Sequence, residues 1–382
     1  DNDEFFLNYN IVVFHTFIHQ TTHEHNVKRI IWLQKQGIKV IMDIDDLWFV
    51  DQRHPMFHQI KHSKIGEMKV EMMKLSDYVT TTTPIFSKTI KDRLKIKNVL
   101  VFPNAINEEE SQFQPKPTKS DKVRFGWLGG SSHLHDIDLM AQGISTTHNS
   151  YKDKVQFVLC GFDTRGKVTE IDSNTGQQRQ RDIQPLETVW YKYESIFTDK
   201  FTVLNPNHKA YLSTFTDGVY NDENEPYRRR WTQDITTYAN NYNMFDVSLA
   251  PLVVSDFNIN KSQLKVIESG FHKKALVAQD FGPYQIDLVN SRRKPTDKKD
   301  QNVFNEHGNA YLVNNDSKEW YQFLKRLVTN PEQIEILSNN LYNTVKDTYS
   351  IEAVSKQRRE LYLSLLDEKR NNNVQRVSES DT

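Results

Sequence analysis

The chain has 382 residues, enough for two domains that each bury a core. Its 49 Lys and Arg stand against 50 Asp and Glu, so it lacks the overall basic field that drives nucleic-acid binding. The single cysteine, Cys160, precludes an internal disulfide and suits the cytoplasm, and no apolar run approaches the ~20 residues of a membrane-spanning helix, which limits any expected membrane contact to the periphery.

In chain order, residues 9–18 (YNIVVFHTFI) predict a strand, 22–37 an amphipathic helix ending at Gly37, and 38–49 a second strand. His15 closes the first strand and Asp45-Asp46 the second, positions from which both could line a cleft; a strand-end histidine held by a hydrogen bond is the plainer reading. Asp43-Ile44-Asp45 also spells an Asp-x-Asp pattern, which would hold a metal only if further oxygen ligands converged on it. Residues 75–94 read as strand, Thr-rich turn and helix, and 98–113 as a strand and its exit. Two prolines among polar residues make 114–122 (QPKPTKSDK) an expected interdomain linker.

Strand and helix alternation restarts at Val123. The run VRFGWLGGSSHLHDIDLM (123–140) is a strand entering Gly126, Gly129 and Gly130, then Ser131-Ser132 and a helix. Glycines there let the backbone approach a phosphate closely, although a tight turn alone would also explain them. A strand at 155–162 follows, then an insertion over 164–235 rich in aromatic and charged residues. In it Arg228, Arg229 and Arg230 precede Trp231. Either Arg230 and Trp231 flank a nucleotide, guanidinium on phosphate and indole on base, or the segment is a strand of alternating exposure in which Arg229 faces away from its neighbours.

Residues 242–252 (YNMFDVSLAPL) predict a short apolar strand with Pro251 at its exit, and 257–270 (FNINKSQLKVIESG) a helix starting at Asn260, with Gln263 as the capping-box variant. Lys261, Lys265 and Glu268 share one stripe of that helix; Leu264, Ile267 and Phe271 share the packing stripe. Free amides and the positive dipole end at Lys261 and Ser262 favour an anion, whereas an ordinary solvated Lys265–Glu268 pair is the bland alternative. The apolar run 276–284 reads as a buried strand breaking at Gly282-Pro283. The basic run from Arg292 to Lys299 reads as a solvated loop. In 317–330, Trp320, Phe323, Leu324 and Leu327 fall at helical spacing and are core. Helices follow Pro331 and Ser350, and 371–382 reads as a polar disordered tail.

The succession FDVSLAPL, FNINKSQLKVIESG, ALVAQDFGPY resembles the donor-binding half of GT-B glycosyltransferases, specifically the retaining, nucleotide-sugar-dependent (family 4-like) enzymes of bacterial surface polysaccharide synthesis. The resemblance implies an α/β GT-B fold, with two Rossmann-like domains facing across a cleft. Residues 1–113 would form the acceptor-side domain, with 352–370 crossing back to it, and 123–351 the donor domain. It further implies a nucleotide-diphosphate sugar as donor substrate, a glycan or lipid-linked glycan acceptor, no metal or other cofactor, and placement in the cytoplasm, at most against the inner face of the membrane. The family's signature is a Glu, seven residues, and a second Glu. Glu268 matches the second, which implies contact with the ribose hydroxyls. The first falls on Asn260, a departure that leaves a hydrogen-bonding group without charge.

The resemblance thus points to His15, Asp45 and Asn260 as catalytic, and to Gly129, Gly130, Ser131, Arg230, Trp231, Lys261, Ser262, Lys265 and Glu268 as donor-binding. The glycine loop often carries a basic residue in the family; here none occurs from Phe125 to Ala141, and only His133 and His135 could substitute. The family's first domain opens with an earlier strand and a glycine-rich loop, so one or two strand–helix units are expected to be absent from this sequence. A non-catalytic sugar- or nucleotide-binding module on the same scaffold is the alternative.

Overall fold

The computed structural model describes residues 3–18, 22–171, 177–198, 225–292, 303–314 and 316–380. Much of the insertion and the basic run beyond Arg292 lie outside the described residues. The chain divides into two compact units: Asp1–Asn107 with Val254–Leu264 and Asp347–Thr382, and Glu108–Val253 with Lys265–Lys346.

The first unit holds a four-stranded parallel sheet, β1 (Ile11–His15), β2 (Lys39–Ile44), β3 (Tyr78–Thr81) and β4 (Val99–Val101), in the order β1-β2-β3-β4. The strand order therefore runs one way, without the reversal of a full doubly wound sheet. Helix starts here are legible locally. Thr22 accepts from the His25 amide ahead of the helix His23–Lys35, and Thr83 accepts from the Phe86 amide with Pro84 in the first turn of Pro84–Leu94. Ile30 and Leu33, Met72 and Met73, and Phe86 and Ile90 bring three helices onto Val40, Met42, Ile44 and Val79 to form one core. The final helix, Ile351–Ser380, belongs to this unit. The Ile351 amide donates to the Ile106 carbonyl, and Arg358 lies over the Phe102 ring. Residues 371–380, read from composition as a disordered tail, continue this helix; the stretch contains neither Gly nor Pro to stop it.

The second unit is built on six parallel strands: β5 (Val123–Leu128), β6 (Val155–Phe162), β9 (Tyr227–Trp231), β10 (Val247–Ala250), β11 (Ala275–Gln279) and β12 (Tyr311–Val313). The insertion contributes the small antiparallel hairpin of β7 (Lys167–Ile171) and β8 (Gln178–Asp182) and the helix Val189–Phe197. The six-stranded order is β12-β11-β10-β5-β6-β9. This is the doubly wound nucleotide-binding order, with its reversal between β5 and β10. All eight residues of β6 are buried, as a strand covered on both faces requires. Phe125, Phe157, Leu159 and Val277 meet Trp320, Phe323, Leu324 and Leu327 of the helix Ser317–Thr329, the spacing read from the sequence as core.

The stretch 114–122, expected to be a free linker, is pinned within the second unit. The Lys116 amide donates to Asn243 Oδ1 (2.7 Å), the Thr118 hydroxyl to the Asn243 carbonyl (3.2 Å), and the Arg124 guanidinium to the Thr118 carbonyl (2.6 Å). Proline and polar residues make a segment irregular, but they do not release its backbone from hydrogen bonding. Among the described residues no helix is long and apolar enough to cross a membrane.

At the amino ends of β5 and β10, Arg124 and Asp246 form a two-pronged ion pair (2.7 and 3.1 Å). Lys274, just before β11, is buried, and desolvation pulls its pKa down to about 8, with Arg124 adding to the depression and Asp246 opposing it. Below pH 8 the folded chain carries the full cost of a buried ammonium. That cost fades from pH 8 to the ordinary 10.5, where the unfolded chain also loses the proton. Lys274→Met is therefore expected to stabilise the protein by about 3 kcal/mol at pH 7, with the gain shrinking between pH 8 and 10.5 in urea unfolding curves.

Candidate functional site

The strand-order reversal fixes where to look, because in a doubly wound sheet the loops leaving the two strands at the switch diverge and open a crevice at their carboxyl ends. From β5 the chain enters Gly129, Gly130 and Ser131; from β10 it enters Pro251, Leu252 and Val253. Asp136 ties the two exits. Its Oδ1 accepts from the Val253 amide (2.8 Å), and its Oδ2 lies 2.8 Å from His133 Nδ1. The Tyr193 hydroxyl accepts from the His133 amide (2.8 Å) and donates to the Gly130 carbonyl (3.3 Å), which shapes the loop further.

The two loop glycines differ in purpose. A Cβ on Gly129 would sit 2.5 Å from the Trp127 indole, and Gly161 at the end of β6 has φ +93°, with its own Cβ position 2.3 Å from the Gly129 carbonyl. This pair allows two backbones to cross closely. Gly130 faces open space, with no atom within 4 Å of its would-be Cβ. Beside this loop lies a cavity of about 460 Å³ lined by Gly129, Gly130 and Ser131, by Asp163 and Arg165 after β6, and by Trp190 from the insertion helix. Arg165 is held by Asp163 (2.9 Å), which keeps that carboxyl below its usual range, and it lies over the Trp231 ring.

β9 is the strand expected, but its exposure does not alternate: Tyr227, Arg228 and Arg229 are all buried, and Arg230 and Trp231 are part-exposed. Arg229 is fully buried, paired with Glu194 of the insertion helix, and stacked over Phe162, while Tyr227 donates to the same Glu194 oxygen (2.8 Å). Arg230 and Trp231 consequently point to opposite faces of the sheet, so adjacency in sequence does not make them one clamp. Only Trp231, through Arg165, reaches the lining of the cavity.

The helix after β10 departs from its sequence reading. Ser255 caps a short helix, Asp256–Ile259, by accepting from the Asn258 amide, and Asn260 ends that helix. The next helix runs Leu264–Phe271. Asn260 is thus not its N-cap, and Gln263, rather than completing a capping box, donates to the Tyr349 hydroxyl. The amides expected to face an anion lie upstream of the helix start, and that of Lys261 is spent on the Asn258 carbonyl. Lys261 lies over the Phe257 ring, and Ser262 is half-buried beside it in sequence. Asn260 is fully buried; its amide donates to the Asp256 carbonyl (2.7 Å), while its Oδ1 has no hydrogen-bond partner among the described residues.

Nor is the charged face solvated. Glu268 is 1% exposed. Its Oε1 accepts from the Tyr238 hydroxyl (2.5 Å) and its Oε2 from Tyr242 (2.7 Å), with Lys265 Nζ 3.9 Å from Oε2. Burial, and then the Glu268 charge, raise both phenol pKa values well above 10, so both tyrosines are donors. Tyr242 stacks on His272 at 4.6 Å, and His272 bridges the Glu268 and Gln112 carbonyls (2.9 Å each), its own pKa lowered by burial against the pull of those carbonyls. Tyr284, in the turn after β11, is buried, and that burial, with smaller contributions from the charges of Asp136 and Glu268, raises its phenol pKa.

In the first unit, His15 Nε2 and Asp45 Oδ1 lie 3.0 Å apart at the carboxyl ends of neighbouring strands, each about half exposed. Asp43 accepts from the Thr80 hydroxyl, so the two acids of the Asp-x-Asp pattern serve different partners. Among the described residues no group of three or more His, Cys, Asp or Glu converges to hold a metal ion. Sequence reasoning missed Asp136, Tyr193, Tyr238 and Tyr242. Tyr238 and Tyr242 lie on a 3₁₀ helix within or just before residues expected to form a strand, and nothing local joins them to Glu268.

No family model and no curated protein matches this chain. Solved structures do share its fold. A glycosyltransferase from Rickettsia africae ESF-5 aligns at 11% identity over 95% of this chain and 79% of its own, with a TM-score of 0.58. Anabaena HepE in complex with UDP-glucose aligns at 10% identity over 95% and 80%, with a TM-score of 0.57. The α,α-trehalose 6-phosphate synthase of Burkholderia multivorans aligns at 11% over 95% and 72%, with a TM-score of 0.59. These likenesses establish the fold read from the sequence, GT-B.

The tie across the two strand exits has a measurable consequence. Asp136→Ala strips the Val253 amide of a carboxylate acceptor held on a buried side chain and is expected to cost about 2–3 kcal/mol in urea unfolding, whereas His135→Ala, at the exposed neighbouring position, is expected to change stability by less than about 0.5 kcal/mol.

Proposed function

We propose that this protein is a glycosyltransferase that moves a sugar from a nucleotide-diphosphate donor to an acceptor hydroxyl in the assembly of polysaccharide, lipopolysaccharide or another glycan. The observation that carries the reading is the doubly wound sheet whose switch point opens between the Gly129–Ser131 loop and the loop after β10, with Glu268 and Lys265 on the helix that follows. The bound UDP-glucose of the Anabaena protein of the same fold supports a nucleotide sugar as the ligand.

In this proposal the open backbone at Gly130 and Ser131 receives the diphosphate and Lys265 neutralises charge as it develops on the leaving group, with no divalent cation required. Glu268 takes the ribose hydroxyls. The buried, unpartnered Oδ1 of Asn260 is an acceptor suited to a sugar hydroxyl, and His15, oriented by Asp45, serves the acceptor side. Transfer proceeds with retention, the departing phosphate helping to deprotonate the acceptor. The protein works in the cytoplasm, touching a membrane only peripherally when its acceptor is lipid-linked.

A binding-only module is the second reading, favoured by Asn260 in place of a carboxylate and by the engagement of both Glu268 oxygens. Turnover separates the two: release of nucleoside diphosphate from a nucleotide sugar in the presence of chelator is expected, and binding without release would favour the module.

Two substitutions test the placement of the donor. Because its Cβ would meet nothing, Gly130→Ala is expected to unfold like the parent and yet weaken UDP in calorimetry, since a methyl group would stand where the diphosphate approaches. Glu268→Gln keeps shape while removing charge and is expected to weaken UDP about tenfold. Parent-like affinity in both variants would put the nucleotide elsewhere.

A further inference from the structure

Glu268 presents an unusual ligand-binding carboxylate, because it is covered before any ligand arrives. Its side chain is 2% exposed, and each oxygen already accepts one phenol hydrogen bond. The two phenols are not equivalent. Tyr242 is fully buried, stacked on His272, and continuous through that imidazole with the Gln112 carbonyl. Tyr238 opens the 3₁₀ helix Tyr238–Met244, is only partly buried, and is flanked by the edge of Phe113 at 6.4 Å. Tyr242 is thus fully enclosed, whereas Tyr238 is partly exposed.

We propose that Tyr238 is a displaceable stand-in for a ligand hydroxyl: its phenol occupies Glu268 Oε1 in the free protein, and a ligand bearing a vicinal diol replaces it, while Tyr242 stays in place and holds the carboxylate in position. The inference rests on the nucleotide-sugar reading, which makes the diol that of a ribose. Its physical basis is the cost of an unsatisfied buried carboxylate. A ligand without the diol that moved Tyr238 aside would leave Oε1 with one fewer donor, so Tyr238 sets a threshold that only a ribose-type ligand repays. Selectivity would come from the exchange of one hydrogen bond for another and not from an empty recess waiting to be filled.

The test uses the full chain and calorimetric titration with UDP, ADP and GDP and their 2′-deoxy forms. In the parent, one of the ribonucleotides binds, and its 2′-deoxy form binds more weakly. Tyr238→Phe removes the competing hydroxyl, so the ribonucleotide is expected to tighten about tenfold. The ratio of ribo to deoxy affinity is expected to widen at the same time, because the bare oxygen now depends wholly on the ligand. Tyr242→Phe, which loosens the carboxylate itself, is expected to weaken the ribonucleotide and narrow that ratio. A tyrosine with a purely structural role would lower thermal stability without moving the ratio, so an unchanged ratio or weaker ribonucleotide binding in Tyr238→Phe overturns the inference while leaving the donor reading intact. Failure of the parent to bind any of the three ribonucleotides overturns both.

Discussion

A buried carboxylate organises the second unit. Glu268 lies on a helix whose residues from Val266 to Phe271 are all buried, so its charge has no water to face and must be met by protein donors. Meeting it recruits the 3₁₀ helix before β10 through Tyr238 and Tyr242. Tyr242 in turn stacks on His272, whose ring lies between the backbone carbonyls of Glu268 and of Gln112, near the start of the unit. A hydrophobic residue at 268 would pack as well, but it would impose none of these alignments. The polar group accordingly reads as a specifier of geometry.

Around that carboxylate the parallel sheet supplies direction. Six strands in doubly wound order leave one place where consecutive loops part, and Asp136 spans it by accepting from the Val253 amide. The loop glycines divide the labour: Gly129 and Gly161 permit close crossing of backbones, and Gly130 keeps a face open. Close packing and access are opposing demands, and they are met by neighbouring residues. The insertion then walls the cavity with Trp190, while its Glu194 neutralises Arg229 inside the core, so the added segment is bonded into the sheet it decorates.

The first unit shows a contrasting economy. Its four strands run in sequence order, and the groups at their carboxyl ends, His15 and Asp45, are paired and half exposed, with no buried charge to fix them. A half-exposed contact of this kind contributes little to stability.

What the sequence determined by itself is what short-range chemistry controls. Apolar runs at 155–162 and 275–279, the Thr-rich turn before the helix that starts at Pro84, the Gly129-Gly130 turn and the helical spacing from Trp320 to Leu327 each carry their structure locally, and their succession reads as alternating strands and helices; the GT-B fold was implied by the family resemblance of residues 245–284. The strand at Tyr227–Trp231 was legible too, but not its exposure, since Arg228 and Arg229 are both buried. The tertiary structure decided the rest. Asn260 caps the end of one helix and not the start of the next because Ser255 captures an amide earlier. Residues 114–122 look like a linker until Asn243, more than a hundred positions away, takes the Lys116 amide and the Thr118 hydroxyl. Above all, a Lys-and-Glu stripe looks solvated in one dimension. Whether Glu268 meets water or two phenols depends on residues 26 and 30 positions upstream, and only the packing of the chain onto itself brings them to it.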